Sequence, residues 1–257
     1  MTGPYIGIHA TAWTATVVLG LSSGGVLGAG TARADDPIDS LSARQIADRS
    51  SDALRSAHSM HLSTRSTPAD GGTPTTLDLI VDRAGNCTGS LGLGGKQGSV
   101  RIVKRGDTVW VKPDAQFWKN RNSNVGSALA AILAGRYMKG SASDPRLSSL
   151  ASACDLATFQ KVISDNAKTD KGTLTKGRKT TLAGTPVVPL VRTWHGQKVT
   201  MYVAATGKPY PLRIDATGGS PKADATVRFS AFDKPVPTTT PPPDETVGIN
   251  AQETRAT

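Results

Sequence analysis

Aromatic side chains are scarce: this chain of 257 residues holds four each of Trp, Tyr and Phe. Against them stand 27 glycines and 16 prolines, a balance that fits short strands and many turns better than a helical bundle. Glycine is still too sparse and too aperiodic for a collagen-like chain, and no internal repeat is visible. Beyond residue 34 no apolar run is long enough to span a bilayer as a helix. Acidic residues are outnumbered, 20 against 30 Lys and Arg, which leaves a formal charge of +10. With 37% hydrophobic and 19% charged residues the chain is too varied for wholesale disorder, and one domain of about 200 residues can bury a sizeable core.

Charge is missing altogether from Met1 to Ala32, where there is no Asp, Glu, Lys or Arg. Trp13 to Leu27 carries the apolar weight, and Ala32-Arg33-Ala34 puts small residues at the two positions a signal peptidase reads. Residues 1–34 are therefore expected to be a signal peptide, cleaved between Ala34 and Asp35. A membrane anchor is the alternative, but Gly20, Gly24, Gly25, Gly28 and Gly30 weaken a helix there. No cysteine lies near the cleavage site, so the expected product is extracytoplasmic and not lipid-anchored. The two cysteines, Cys87 and Cys154, both lie in the exported part, and an even count in such a protein favours a disulfide over two buried thiols.

Periodicity then organises residues 35–234 as the folded domain. Ser42 followed by Gln45 reads as a capping box, and Ile46, Ala47, Ala53, Leu54 and Ala57 share one helical face. Arg44, Asp48, Arg49 and Asp52 fall outside that face. Period-2 runs follow: Leu77, Leu79 and Val81; Val100 and Ile102; Val109 and Val111 around Trp110 after an Arg105-Gly106-Asp107 turn. Val125 to Ala134 is apolar nearly all round and predicts an enclosed helix. Leu156, Phe159 and Ile163 predict another, with Asp155 as its N-cap. Strands resume at Val187–Thr193, where Pro189 implies an edge or a bulge. They continue through Val199, Met201 and Val203, then Leu212 and Ile214, then Val227, Phe229 and Ala231. From Pro235 the run Pro-Val-Pro-Thr-Thr-Thr-Pro-Pro-Pro reads as an extended, unpacked tail over 235–257. Consecutive strands joined by turns mean antiparallel pairing, so the expected class is α+β, a curved antiparallel sheet closing around helices.

The order of elements, the Thr108-Val109-Trp110-Val111-Lys112 strand followed by Gln116-Phe117-Trp118, and the Tyr202-Val203 strand leading through Thr206-Gly207-Lys208-Pro209 to Leu212-Arg213-Ile214 resemble the LolA-like superfamily. Within it the likeness is to actinobacterial LppX/LprG-type envelope proteins. The resemblance implies an unclosed antiparallel half-barrel with helices covering its concave face. It also implies an apolar cavity that carries lipid or lipoprotein acyl chains. Two departures stand out. Such proteins are usually lipoproteins, and this chain lacks the lipobox cysteine; the hairpin commonly carries an Asp before its turn, where this chain has Ala204-Ala205.

Motifs for chemistry are few. There is no Gly-x-Ser-x-Gly elbow, and the glycine-rich Gly89–Gly98 stretch lacks the first glycine and the hydroxyl of a phosphate-binding loop, so it reads as a flexible strand connection. His58 and His61 are three apart, but no nearby Cys or carboxylate completes a metal set, and His195 beside Trp194 reads as a turn residue. Neither a metal nor a cofactor is expected. The basic run Lys161, Lys168, Lys171, Lys176, Arg178 and Lys179 has no interleaved aromatics, which argues against nucleic acid. It reads equally as a solvated face or as a contact for an anionic membrane or wall-polymer surface. The expected function is a non-enzymatic binder of a lipid or acylated ligand in the cell envelope. Alternatives are a regulatory domain of the same fold, and a secreted hydrolase, which the absent motifs disfavour. The expected cavity wall is Trp110, Phe117 and Trp118 facing Leu129, Ile132 and Leu133, though for any one of the six plain core is the stronger reading.

Overall fold

A computed structural model describes residues 38–67, 75–95, 97–119, 133, 135–169, 173–194, 196–219 and 224–249. After a short 3-10 turn at Ile38–Ser40 comes α1 (Ala43–Ser56), then β1 (Ser59–Thr67), β2 (Thr75–Asp82), β3 (Cys87–Gly92), β4 (Ser99–Arg105) and β5 (Thr108–Pro113). A single turn, α2 (Ala115–Lys119), precedes β6 (Tyr137–Ser141), and α3 (Ser148–Ser152) and α4 (Leu156–Thr169) follow it. The chain continues through β7 (Leu174–Lys176), β8 (Thr180–Leu182), β9 (Thr185–Trp194), β10 (Gln197–Ala204), β11 (Pro211–Gly218) and β12 (Asp224–Ser230) to β13 (Thr246–Gly248).

Among the described residues thirteen strands form one sheet, in the order β13-β6-β5-β4-β3-β2-β1-β12-β11-β10-β9-β7, with β8 also pairing β9. Two antiparallel meanders, β1 to β6 and β9 to β12, meet where β1 lies against β12 in the register Leu62↔Phe229 and Thr64↔Val227. The path never returns to its start, so the sheet is an unclosed, curved and mostly antiparallel layer, as the strand pattern and the resemblance led us to expect. Turn chemistry sets the local register. Arg105 pairs Thr108 across a two-residue loop in which Gly106 takes a positive φ of 54°, a conformation glycine adopts without a Cβ clash. The glycine-rich stretch begins inside a strand and not in a connection, because Gly89 pairs Leu79 so closely that a Cβ there would lie 1.9 Å from the Asp78 carbonyl oxygen.

Pro189 has the position its chemistry demands. β9 pairs continuously with β10 on one side, but on the other it meets two short strands, β8 and β7, with the gap between them at Pro189. A residue without an N–H sits where the outer ladder is interrupted, and the Gly177 N–H donates to its carbonyl at 2.8 Å.

The capping box forms as read: the Gln45 N–H donates to Ser42 Oγ at 3.3 Å, and the Ser42 N–H to Gln45 Oε1 at 2.9 Å. The predicted face of α1 is buried, but it divides between two cores. Leu54 joins Met60, Leu79, Val81, Ile102, Val109, Val111 and Phe229, while Ile46 and Ala47 pack with Leu41, Val188, Leu190 and Val203.

The segment from Pro235 departs from its reading as an unpacked tail. Val236 is buried, Thr246–Gly248 adds a parallel strand to the edge at β6, and Ile249 is buried in the larger core against Gly140. The prolines do keep 235–242 out of any ladder, but a three-residue strand and one buried isoleucine carry no periodic signal for a sequence reading to detect.

Candidate functional site

The cores divide at a cavity. A space of about 540 Å³ opens between α1 and α4 on one side and β7 with β9–β11 on the other, within the range of small-ligand pockets, about 300–1,000 Å³. Helical spacing supplies one wall: Arg44, Ala47, Ser51 and Leu54 follow one another at three- and four-residue steps along α1, with Ser50 beside them. Strand alternation supplies the other. Leu190 and Arg192 share a face of β9; Gln197, Val199 and Met201 share a face of β10; Pro211 and Ile214 come from β11. Ile163 of α4 and Leu174 of β7 complete it. The middle of the space is thus aliphatic, drawn from residues of both cores. Polar groups come from Arg44, Ser50 and Ser51 of α1 and from Arg192 and Gln197 near the hairpin end of β9 and β10. Ser50 is 1% exposed and its hydroxyl has no hydrogen-bond partner among the described residues.

Specific bonds hold the helices over the sheet. The buried amide of Gln160, on α4, donates to the carbonyls of Leu54 at 2.7 Å and Ala57 at 3.0 Å, satisfying the open end of α1. Arg83 Nε donates to the same Ala57 carbonyl at 3.0 Å, and its guanidinium also reaches the carbonyl of Arg55. Asp155 caps α4 as predicted, accepting from the Thr158 N–H at 3.0 Å and the Thr158 hydroxyl at 2.7 Å, and those two bonds hold its carboxyl below the usual range. Cys87 and Cys154 are bonded, with Cα atoms 5.6 Å apart, so the start of β3 is tied to the residue pair preceding α4. Phe159 meets Phe229 with ring centroids 6.0 Å apart, a further contact between α4 and the sheet.

Of the six residues expected to line a cavity, the four that are described do not line this space. Trp110 points to the sheet face opposite Val109 and Val111, as its alternation predicts, and there Lys139 Nζ stands 5.6 Å from its ring. Phe117 packs on the larger core and meets Trp118 edge-on at 5.3 Å. Trp118 and Leu133 are buried, and Leu129 and Ile132 lie outside the described residues. None of the four that are described is among the lining residues of the 540 Å³ space. The strands that do line it were legible as alternating runs, but alternation gives no sign of which run faces packed core and which faces space.

A smaller hollow of about 330 Å³ beside the disulfide is bordered by Asp82, Arg83, Lys104 and Asp155 and lacks such aliphatic walls. The histidines do not converge. His61 bridges Ser230 Oγ at 3.2 Å and Asp78 Oδ1 at 3.0 Å, His58 is exposed beside Asp233, and His195 lies outside the described residues. Among the described residues no group of His, Cys, Asp and Glu is placed to hold a metal ion, and no helix is long and apolar enough to cross a membrane. Part of the basic run anchors the chain ahead of α1. Lys176 donates to the carbonyls of Asp39 and Leu41 at 2.9 and 2.7 Å, and Lys179 pairs with Asp39 at 3.0 Å.

No family model and no curated protein matches the chain. Solved structures do. LprF from Mycobacterium bovis is 14% identical, with 77% of this chain aligned to 96% of that one and a TM-score of 0.51. Lipoprotein LppX from Mycobacterium tuberculosis is 16% identical, over 77% of this chain and 98% of that one, at 0.46. A putative outer membrane lipoprotein-sorting protein domain from Vibrio parahaemolyticus is 11% identical, over 76% and 94%, at 0.24. Of these three, the LprF likeness is close enough to carry an argument, and at that identity the argument concerns the fold. With its two meanders joined at β1 and β12 and its helices laid over one face, the chain has the LolA-like fold, shared with LprF.

Proposed function

We propose that this protein is an exported, non-enzymatic binder or carrier of a hydrophobic ligand, a lipid or an acylated molecule, in the cell envelope. The observation that carries the reading is the 540 Å³ space between the helix pair and the sheet, walled by Leu54, Ile163, Leu174, Leu190, Val199, Met201 and Ile214. Filling such a space with hydrocarbon removes apolar surface from water at about 25 cal/mol per Å², whereas filling it with water gains nothing from those walls. Export is supported by Ala32-Arg33-Ala34 ahead of Asp35 and by a buried disulfide, which fits an oxidising compartment.

Mass spectrometry of organic extracts from natively purified protein tests the binding. The expected result is one amphiphile class recovered in near-stoichiometric amount. Protein that yields no lipid and takes up no fluorescent fatty-acid probe would overturn the reading. N-terminal sequencing of the exported protein is expected to begin at Asp35, and a chain that begins at Met1 would contradict the proposed cleavage.

A further inference from the structure

The cavity is limited in size, and its walls run into packed side chains. In liquid a methylene group takes up about the volume of a water molecule, about 30 Å³, so a space of about 540 Å³ has room for about eighteen carbons. That is one long acyl chain and not two. Ala47 and Leu190 line the space and belong to the smaller core, while Leu54 lines it and belongs to the larger. Close-packed cores yield little, so a second chain gains no room by pressing into either. Nor is α1 free to move outward. Gln160 ties its end to α4 through the carbonyls of Leu54 and Ala57, and Lys176 of β7 holds the Leu41 carbonyl just ahead of its start at 2.7 Å. The walls select a shape as well. Among the described lining residues there is no aromatic ring, so a planar ligand finds no face to stack on, whereas a flexible hydrocarbon needs only aliphatic contact.

We propose that the cavity encloses one unbranched acyl chain of up to about eighteen carbons, and that its ligands are single-chain amphiphiles. This inference rests on the lipid-binding reading above and narrows it. The limit is one of carbon number and does not depend on the headgroup. Each methylene moved from water into the cavity tightens binding about fourfold. Affinity therefore climbs steeply with chain length while the chain fits. A carbon beyond the limit stays in water and adds nothing, and so does a second chain.

The test is displacement of a fluorescent fatty acid from the full-length protein by saturated lysophosphatidylcholines of about ten to twenty-two carbons. They are supplied from cyclodextrin at concentrations free of micelles, and dipalmitoyl phosphatidylcholine is compared with its monopalmitoyl form. Affinity is expected to rise with each added methylene and to level off by about eighteen carbons. The dipalmitoyl lipid is expected to bind no more tightly than the monopalmitoyl one, and native mass spectrometry to count one lysolipid per protein. Val199→Phe adds four carbons to a wall of the cavity and is expected to bring the levelling-off to a chain about two to four carbons shorter. Affinity that still climbs at twenty-two carbons, a dipalmitoyl lipid bound about tenfold or more tightly, or two lysolipids per protein overturns the inference and leaves the lipid-binding reading standing. An unchanged limit in a folded Val199→Phe also overturns it, and the series on the unaltered chain decides alone if that variant does not fold. Failure of every lipid to displace the probe, with no uptake of the probe itself, removes the lipid-binding reading.

Discussion

Breaking the Cys87–Cys154 bond perturbs one strut of the site without touching its lining. The bond closes a loop with a sequence separation of 67 residues. Chain-entropy arithmetic for a loop of that length gives about 4 kcal/mol at 25 °C, an upper figure because any native-state strain subtracts from it. Both cysteines are buried, at 0% and 1% exposure, so reduction requires unfolding first, followed by refolding under reductant. Using the reduced wild-type chain keeps the sulfur volume in the core and avoids the cavity that an alanine would leave. For a chain of this size 1 kcal/mol moves Tm by about 2–4 °C, so a fall of roughly 8–16 °C is expected on a calorimetric scan. The loss should be local as well. Cys154 immediately precedes Asp155, the cap of α4, and α4 supplies both Gln160, which holds α1, and Ile163, which lines the cavity. Hydrogen exchange is therefore expected to rise across α3 and α4 more than across β1 to β5, and uptake of a fluorescent fatty acid should weaken in parallel. A Tm change below about 2 °C, or exchange that rises equally in strands and helices, would refute the reasoning.

Three further outcomes follow from the same geometry. Met201→Trp in a filled core would cost about 1–3 kcal/mol; here, at a wall of an open space, it should cost less than about 1 kcal/mol in urea unfolding and abolish lipid uptake, and the opposite pattern would count against the cavity. Gln160→Leu removes the amide from the Leu54 and Ala57 carbonyls, which keep the Ala57 N–H and Arg83 Nε as donors, and is expected to cost about 0.5–1.5 kcal/mol, so an unchanged denaturation midpoint would count against Gln160 as an anchor of α1. Stability should also fall in acid: the side chain and then the backbone of Arg146 hold the Asp144 carboxyl at about 2, and Asp155 and Asp233 are lowered by the backbone N–H groups of Thr158 and His58. Groups with depressed folded values contribute fully above the unfolded value near 3.9 and lose that contribution as pH falls towards 2, so Tm should drop between about pH 4 and pH 2, less steeply in Asp144→Asn/Asp155→Asn/Asp233→Asn, and a flat profile would contradict the assignment.

The amino-acid sequence by itself determined the local features. Ser42 and Gln45 close a capping box, Asp155 caps α4, and the alternating runs Leu77–Val81, Val109–Val111 and Val199–Val203 all form strands. These are short-range effects, in which a side chain meets a backbone group three residues away or alternates across a pleat, and periodicity records them directly. The disulfide was legible for a related reason: two cysteines in a chain read as exported have one possible intramolecular partner each.

The tertiary structure alone decided what the apolar faces meet. The apolar stripe of α1 looks uniform, yet Leu54 enters one core and Ile46 the other, and the space between them is the candidate site. Apolar residues on one side of an element declare only that the side avoids water; whether it meets side chains or a ligand depends on how far apart two distant surfaces come to rest. Trp110 has the size of a cavity wall and its alternation with Val109 and Val111 gives its face, but only the tertiary structure shows it buried there, with Lys139 Nζ 5.6 Å from its ring. The meeting of distant surfaces also explains β13, where three residues and Ile249 gain their partners more than a hundred positions back in the chain, on β6 and at Gly140. No local pattern encodes a pairing of that range, because its stability comes from the edge and the core it completes.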